Sequence, residues 1–65
     1  MKNLNEINKS ICPVCGKGYV EDYDICEYCG WENDPVQFEN PNLAGGANEM
    51  SLNQARKAYD AKMPI

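Results

Sequence analysis

Apolar residues come in short bursts along this chain, and no stretch keeps a strand or helix period for long before the C-terminal segment. Residues 1–10 are polar and rich in Asn, with Leu4 and Ile7 as apolar points that suit one amphipathic turn leading to Ile11. Farther on, Tyr19-Val20 and Tyr23-Asp24-Ile25 place β-forming residues on either side of Glu21-Asp22. That pattern predicts two short strands, around residues 18–20 and 23–25, joined by a tight turn. Residues 32–48 carry Asn33-Asp34-Pro35, Asn40-Pro41-Asn42 and Gly45-Gly46, the punctuation of a long wrapped loop. A helix over 51–63 is predicted next. Ser51 and Gln54 form an S-x-x-Q capping box, and Leu52, Ala55, Tyr59 and Met63 share one face. Asn53, Arg56, Lys57 and Asp60 fall opposite, and Pro64 is the expected stop.

The chain has 65 residues, enough for one small domain. A domain of this size buries only about 60% of the surface its unfolded chain exposes. The candidate core is Ile11, Val14, Tyr19, Val20, Tyr23, Ile25, Tyr28, Trp31, Val36, Phe38, Leu43, Leu52 and Tyr59. So thin a core calls for a staple, either disulfides or a metal ion.

Two copies of C-x-x-C-G supply the candidate staple: Cys12-Pro13-Val14-Cys15-Gly16 and Cys26-Glu27-Tyr28-Cys29-Gly30. Two residues between cysteines let one turn aim both sulfurs at a single ion, and the following Gly permits the positive φ such a turn wants. Cys12, Cys15, Cys26 and Cys29 are therefore the candidate ligands of one structural Zn2+. The expected fold is a small metal-stabilised domain: a zinc ribbon of two knuckles and a short β-hairpin, plus the C-terminal α-helix. It spans residues 11–63, behind a polar segment 1–10. Rubredoxin-type iron uses similar knuckles but places its pairs farther apart. A thioredoxin-like redox pair needs a βαβ context that this length does not provide.

Charge and composition then narrow the function. The formal net charge is −4, and residues 21–40 hold seven acids and no base. Such a stretch repels phosphate, so nucleic acid is a poor partner. No apolar run is long enough for a membrane span or a signal peptide, which makes the expected location cytoplasmic and favours metal over disulfides. Four sulfur ligands leave no open coordination position, and the chain has no His and no Gly-x-Ser-x-Gly or Ser-Lys arrangement. No enzyme activity is expected.

The chain also resembles the bacterial and phage cysteine-rich family named for its Cys-Pro-Cys-Cys motif. The resemblance rests on three blocks: Cys12 to Gly16, Tyr23 through Trp31-Glu32-Asn33-Asp34-Pro35-Val36-Gln37, and Gly45-Gly46-Ala47-Asn48 through Ser51-Leu52 to Tyr59. It departs at Val14, where the family motif has a further Cys. The resemblance implies a small zinc-binding protein and assigns no activity.

The expected function is a protein–protein interaction module, in its sharpest form an inhibitor or immunity-type factor. Glu27, Trp31, Glu32 and Asp34 are the candidate contact residues. Three of them have a plainer reading: Trp31 covering the metal, and Glu32 and Asp34 in a solvated acidic turn. The alternatives are a nucleic-acid-binding ribbon, supported by Lys17, Arg56, Lys57 and Lys62, and a rubredoxin-like electron carrier.

Overall fold

The strand-forming residues pair across each cysteine turn rather than with one another. The computed structural model describes residues 9–65, so the expected turn at Leu4 and Ile7 lies outside the described residues. Strand β1 (Ser10–Ile11) runs antiparallel to β2 (Tyr19–Val20), with Ser10 opposite Val20 and Ile11 opposite Tyr19. The first knuckle is the connection between them. The second knuckle is framed likewise: Ile25 forms an antiparallel bridge with Glu32, Tyr23 N–H donates to the Asn33 carbonyl (2.7 Å), and Asn33 N–H donates to the Asp24 carbonyl (2.8 Å). The expected hairpin of 18–20 against 23–25 is thus replaced by two ribbons, one around each knuckle. The turn between them is the cause. Tyr23 sits at φ 65, and the Asp24 side chain accepts from Glu21 N–H (3.0 Å), which turns the chain away from its own preceding strand.

The expected wrapped loop contains a short helix, α1 (Pro35–Glu39), capped by Asp34 and started by a proline. Helix α2 runs Leu52–Asp60. Its Ser51–Gln54 capping box is formed in both directions, with Gln54 N–H on Ser51 Oγ (3.1 Å) and Ser51 N–H on Gln54 Oε1 (2.8 Å). Leu52, Ala55 and Ala58 are its buried face, Tyr59 is half-buried, and Met63 lies beyond the helix and exposed.

The core is smaller than the sequence suggests. Trp31, Leu52, Ala55 and Val20 close around Cys12 and Cys26, with Val14, Cys15, Cys29 and Met50 packed against them. Tyr19, Tyr23, Ile25, Tyr28, Val36 and Phe38 are each more than half exposed, and Ile11 and Leu43 are exposed as well. Two-residue strands cannot cover both faces of their apolar side chains, and sulfur occupies the centre those side chains would have filled. Among the described residues, no helix is long and apolar enough to cross a membrane.

Candidate metal centre

Each knuckle is built by the same pair of backbone bonds. Gly16 N–H donates to the Cys12 carbonyl (3.0 Å) and Gly30 N–H to the Cys26 carbonyl (2.8 Å), closing each turn. Cys12 N–H donates to the Gly18 carbonyl (2.7 Å) and Cys26 N–H to the Trp31 carbonyl (2.9 Å), drawing the flanks together. Gly16 and Gly30 sit at φ 69 and φ 84, and a Cβ on either would meet nothing within 4 Å. The backbone angle, not crowding, selects glycine there.

These turns bring the Sγ atoms of Cys12, Cys15, Cys26 and Cys29 within 4.8 Å of one another. Cys12 Sγ lies 3.6 Å from Cys29 Sγ, and Cys15 Sγ lies 3.6 Å from Cys26 Sγ. A tetrahedral ion with metal–sulfur bonds near 2.3 Å needs sulfurs about 3.8 Å apart, so the cluster fits one ion with little movement. None of the four is joined to another in a disulfide.

The electrostatics also call for a cation. Burial pushes the Cys12 thiol up, against the lowering effect of the Cys15 and Val14 amides. Burial raises Cys29 too, opposed by the Trp31 amide and reinforced by the neighbouring Cys12. Burial acts the same way on Cys15, but the amides of Lys17 and Gly18 and the Cys26 sulfur outweigh it and bring that thiol down to about 7. Lys17 N–H reaches Cys15 Sγ at 3.4 Å. Four thiolates this close repel one another, and a divalent cation supplies the charge that lets all four ionise.

Three polar side chains hold the second knuckle and the start of α2 together. Asn48 Oδ1 accepts from Glu32 N–H (2.9 Å), and its Nδ2 donates to the Glu32 carbonyl (2.8 Å), the two bonds a neighbouring strand would make. Gln37 is fully buried; its Nε2 donates to the carbonyls of Leu43 (2.9 Å), Asn48 (3.2 Å) and Met50 (3.0 Å). Asp34 Oδ1 caps α1 through Val36 N–H (2.8 Å), while Oδ2 accepts from Ala47 N–H (3.0 Å). The Ala47 amide first, with those of Val36 and Gln37, holds the Asp34 carboxyl below its usual range against the opposing effect of burial. Arg56 reaches the other knuckle, with Nε donating to the Pro13 carbonyl (2.8 Å).

This arrangement corrects the expected contact surface. Trp31 is 1% exposed and lies in the core beside Cys12 and Cys26. Asp34 is 5% exposed and spends both oxygens on backbone amides. Neither is free to meet a partner. Glu32 is half-buried, its backbone engaged by Ile25 and Asn48; Glu27 is exposed. Gln37 and Asn48 escaped the sequence reading as structural residues. Asp34-Pro35, a cap followed by proline, was the signal that a helix begins there.

The chain matches, over residues 10–62, the family model described as cysteine-rich CPCC. No curated protein matches it by sequence.

Proposed function

This chain belongs to the cysteine-rich CPCC family, and on that footing we propose that it is a structural-zinc protein, a variant of the zinc ribbon, that acts by binding another protein. The metal identity is supported by the donor set: four sulfurs within 4.8 Å of one another suit a four-coordinate zinc, which would leave no position for substrate. The metal's task is then to hold the two knuckles and present what lies outside them.

One observation carries the binding role. Tyr19, Ile25 and Tyr28 are 69%, 66% and 61% exposed and line one groove of about 420 Å3, together with Asp24 and Glu27 and with Lys9 and Lys17. Exposed aromatic anchors are the usual energetic centre of a protein interface. The surrounding segment, residues 21 to 40, has no base and, with Asp34 spent on backbone amides, leaves six acids to select a basic partner. An inhibitor or immunity-type factor that occupies the basic cleft of a nucleic-acid enzyme is the sharpest form of this reading. Direct nucleic-acid binding is less favoured, since Arg56 is committed to the Pro13 carbonyl and Lys17 lies over the Tyr59 ring, 6.0 Å from its centroid.

Native mass spectrometry of protein captured from its own host tests both halves. The expected species is the chain with one zinc and a second, basic polypeptide. Tyr28→Ala with Ile25→Ala, and separately Glu27→Lys, should keep the zinc and lose the polypeptide. Retention of the same polypeptide by both variants would refute the groove as the contact.

A further inference from the structure

Burial divides the four cysteines into two kinds. Cys12 and Cys26, which lead their knuckles, are 1% and 2% exposed. Cys15 and Cys29, which trail, are partly exposed. Each trailing sulfur touches the leading sulfur of the other knuckle: Cys15 with Cys26 at 3.6 Å, and Cys29 with Cys12 at 3.6 Å. We propose that this centre is a site of reversible oxidation by hydroperoxides. The reachable sulfur of each knuckle is oxidised, the buried sulfur of the opposite knuckle resolves it, and the metal ion is exchanged for the disulfides Cys15–Cys26 and Cys12–Cys29. The inference rests on reading the centre as a zinc site.

The chemistry balances with a hydroperoxide as the oxidant. The Cys15 thiolate attacks the peroxide oxygen; an S–O bond forms, the O–O bond breaks, and the departing oxyanion takes a proton. The Cys26 thiolate then attacks the Cys15 sulfur; an S–S bond forms, the S–O bond breaks, and hydroxide leaves. Two thiolates have given two electrons to one peroxide, and neither sulfur could any longer ligate an ion. A second peroxide repeats the sequence at Cys29 and Cys12, after which no thiolate would remain to hold an ion. A dithiol reductant reverses both bridges.

The pairing decides what the oxidised protein is. Bridges within a knuckle, Cys12 to Cys15 and Cys26 to Cys29, would leave no cross-link between the two knuckles once the ion has gone. Bridges between knuckles replace the ion's cross-link covalently and keep Trp31, Val20 and Leu52 gathered around the same sulfurs. Oxidation on this scheme releases zinc without dismantling the core.

The experiment begins with the zinc-loaded full chain, verified by native mass. Limiting iodoacetamide on that protein should alkylate Cys15 and Cys29 ahead of Cys12 and Cys26. Hydrogen peroxide should then release one zinc per two peroxides, read with a chromophoric chelator. Peptide mapping should find Cys15–Cys26 and Cys12–Cys29, and dithiothreitol with zinc should restore the starting mass. Bridges within the knuckles, sulfinic acids in place of disulfides, or zinc retained in excess peroxide would overturn the proposal. A chain that takes up no zinc before peroxide is added would defeat the metal reading itself and the proposal with it, and would be recognised at that first step.

Discussion

At the scale of single residues, the tightest spot in the molecule lies away from the metal. Gly46 rests against the Asp34–Gln37 pair so closely that a Cβ there would lie 2.7 Å from Asp34 Oδ2 and 2.9 Å from Gln37 Cδ. Neither neighbour can retreat freely. Asp34 would surrender its bond from Ala47, and Gln37 is fully buried with its amide shared among three carbonyls. Gly46→Ala should therefore cost about 1–3 kcal/mol through overpacking. Gly45→Ala is the contrast: φ is 78, but nothing lies within 4 Å of its Cβ, so only the backbone penalty of about 1–2 kcal/mol applies. Denaturant titration of the zinc-saturated variants measures both. If Gly46→Ala is neutral, the polar clamp is looser than its hydrogen bonds indicate.

At the scale of elements, the two ends of α2 show what sequence can and cannot reveal. Its start is written in Ser51 and Gln54, a reciprocal pair with a recognisable spacing, and the structure forms both bonds. Its end is set by Lys62 at φ 59, with Met63 N–H on the Ala58 carbonyl (2.8 Å) and Lys62 N–H on the Tyr59 carbonyl (3.0 Å). That is the left-handed Schellman termination, here without the glycine that advertises it, so the helix stops ahead of the expected boundary. Lys62→Gly should stabilise the protein by about 0.5–1 kcal/mol by relieving the left-handed strain, visible as a higher melting temperature. A lower one would mean that glycine's added freedom in the unfolded chain outweighs the relief. The strands were harder to read for a related reason. A strand of two residues carries no period and therefore no register, so Tyr19-Val20 could not disclose whether its partner lay before or after it. The cysteines were legible because ligand spacing is local. The pairing around them was not, because it depends on a turn at Tyr23 whose positive φ no residue type announces.

At the scale of the whole molecule, the question is what keeps so small a core closed. Trp31, Leu52, Val20 and Ala55 are its carbon, and two of the four sulfurs are buried among them. The cysteine cluster and the apolar core are therefore one object, and removing a bound ion from the reduced chain opens both. A strong chelator at neutral pH should abolish the tertiary environment of Trp31, seen as a red shift of its fluorescence, together with the ellipticity of α2. The pH dependence follows from the protons. At neutral pH the unfolded chain carries thiols where the metal-loaded fold carries thiolates, so the unfolded state binds more protons and stability rises with pH. Metal uptake by the opened chain must therefore expel those thiol protons. Zinc binding should accordingly tighten from pH 6 to pH 8, and its calorimetric heat should change with the ionisation enthalpy of the buffer. A buffer-independent heat and a flat affinity over that range would mean that the thiols are already ionised in the metal-free chain, and that the two knuckles hold their shape without the ion's help.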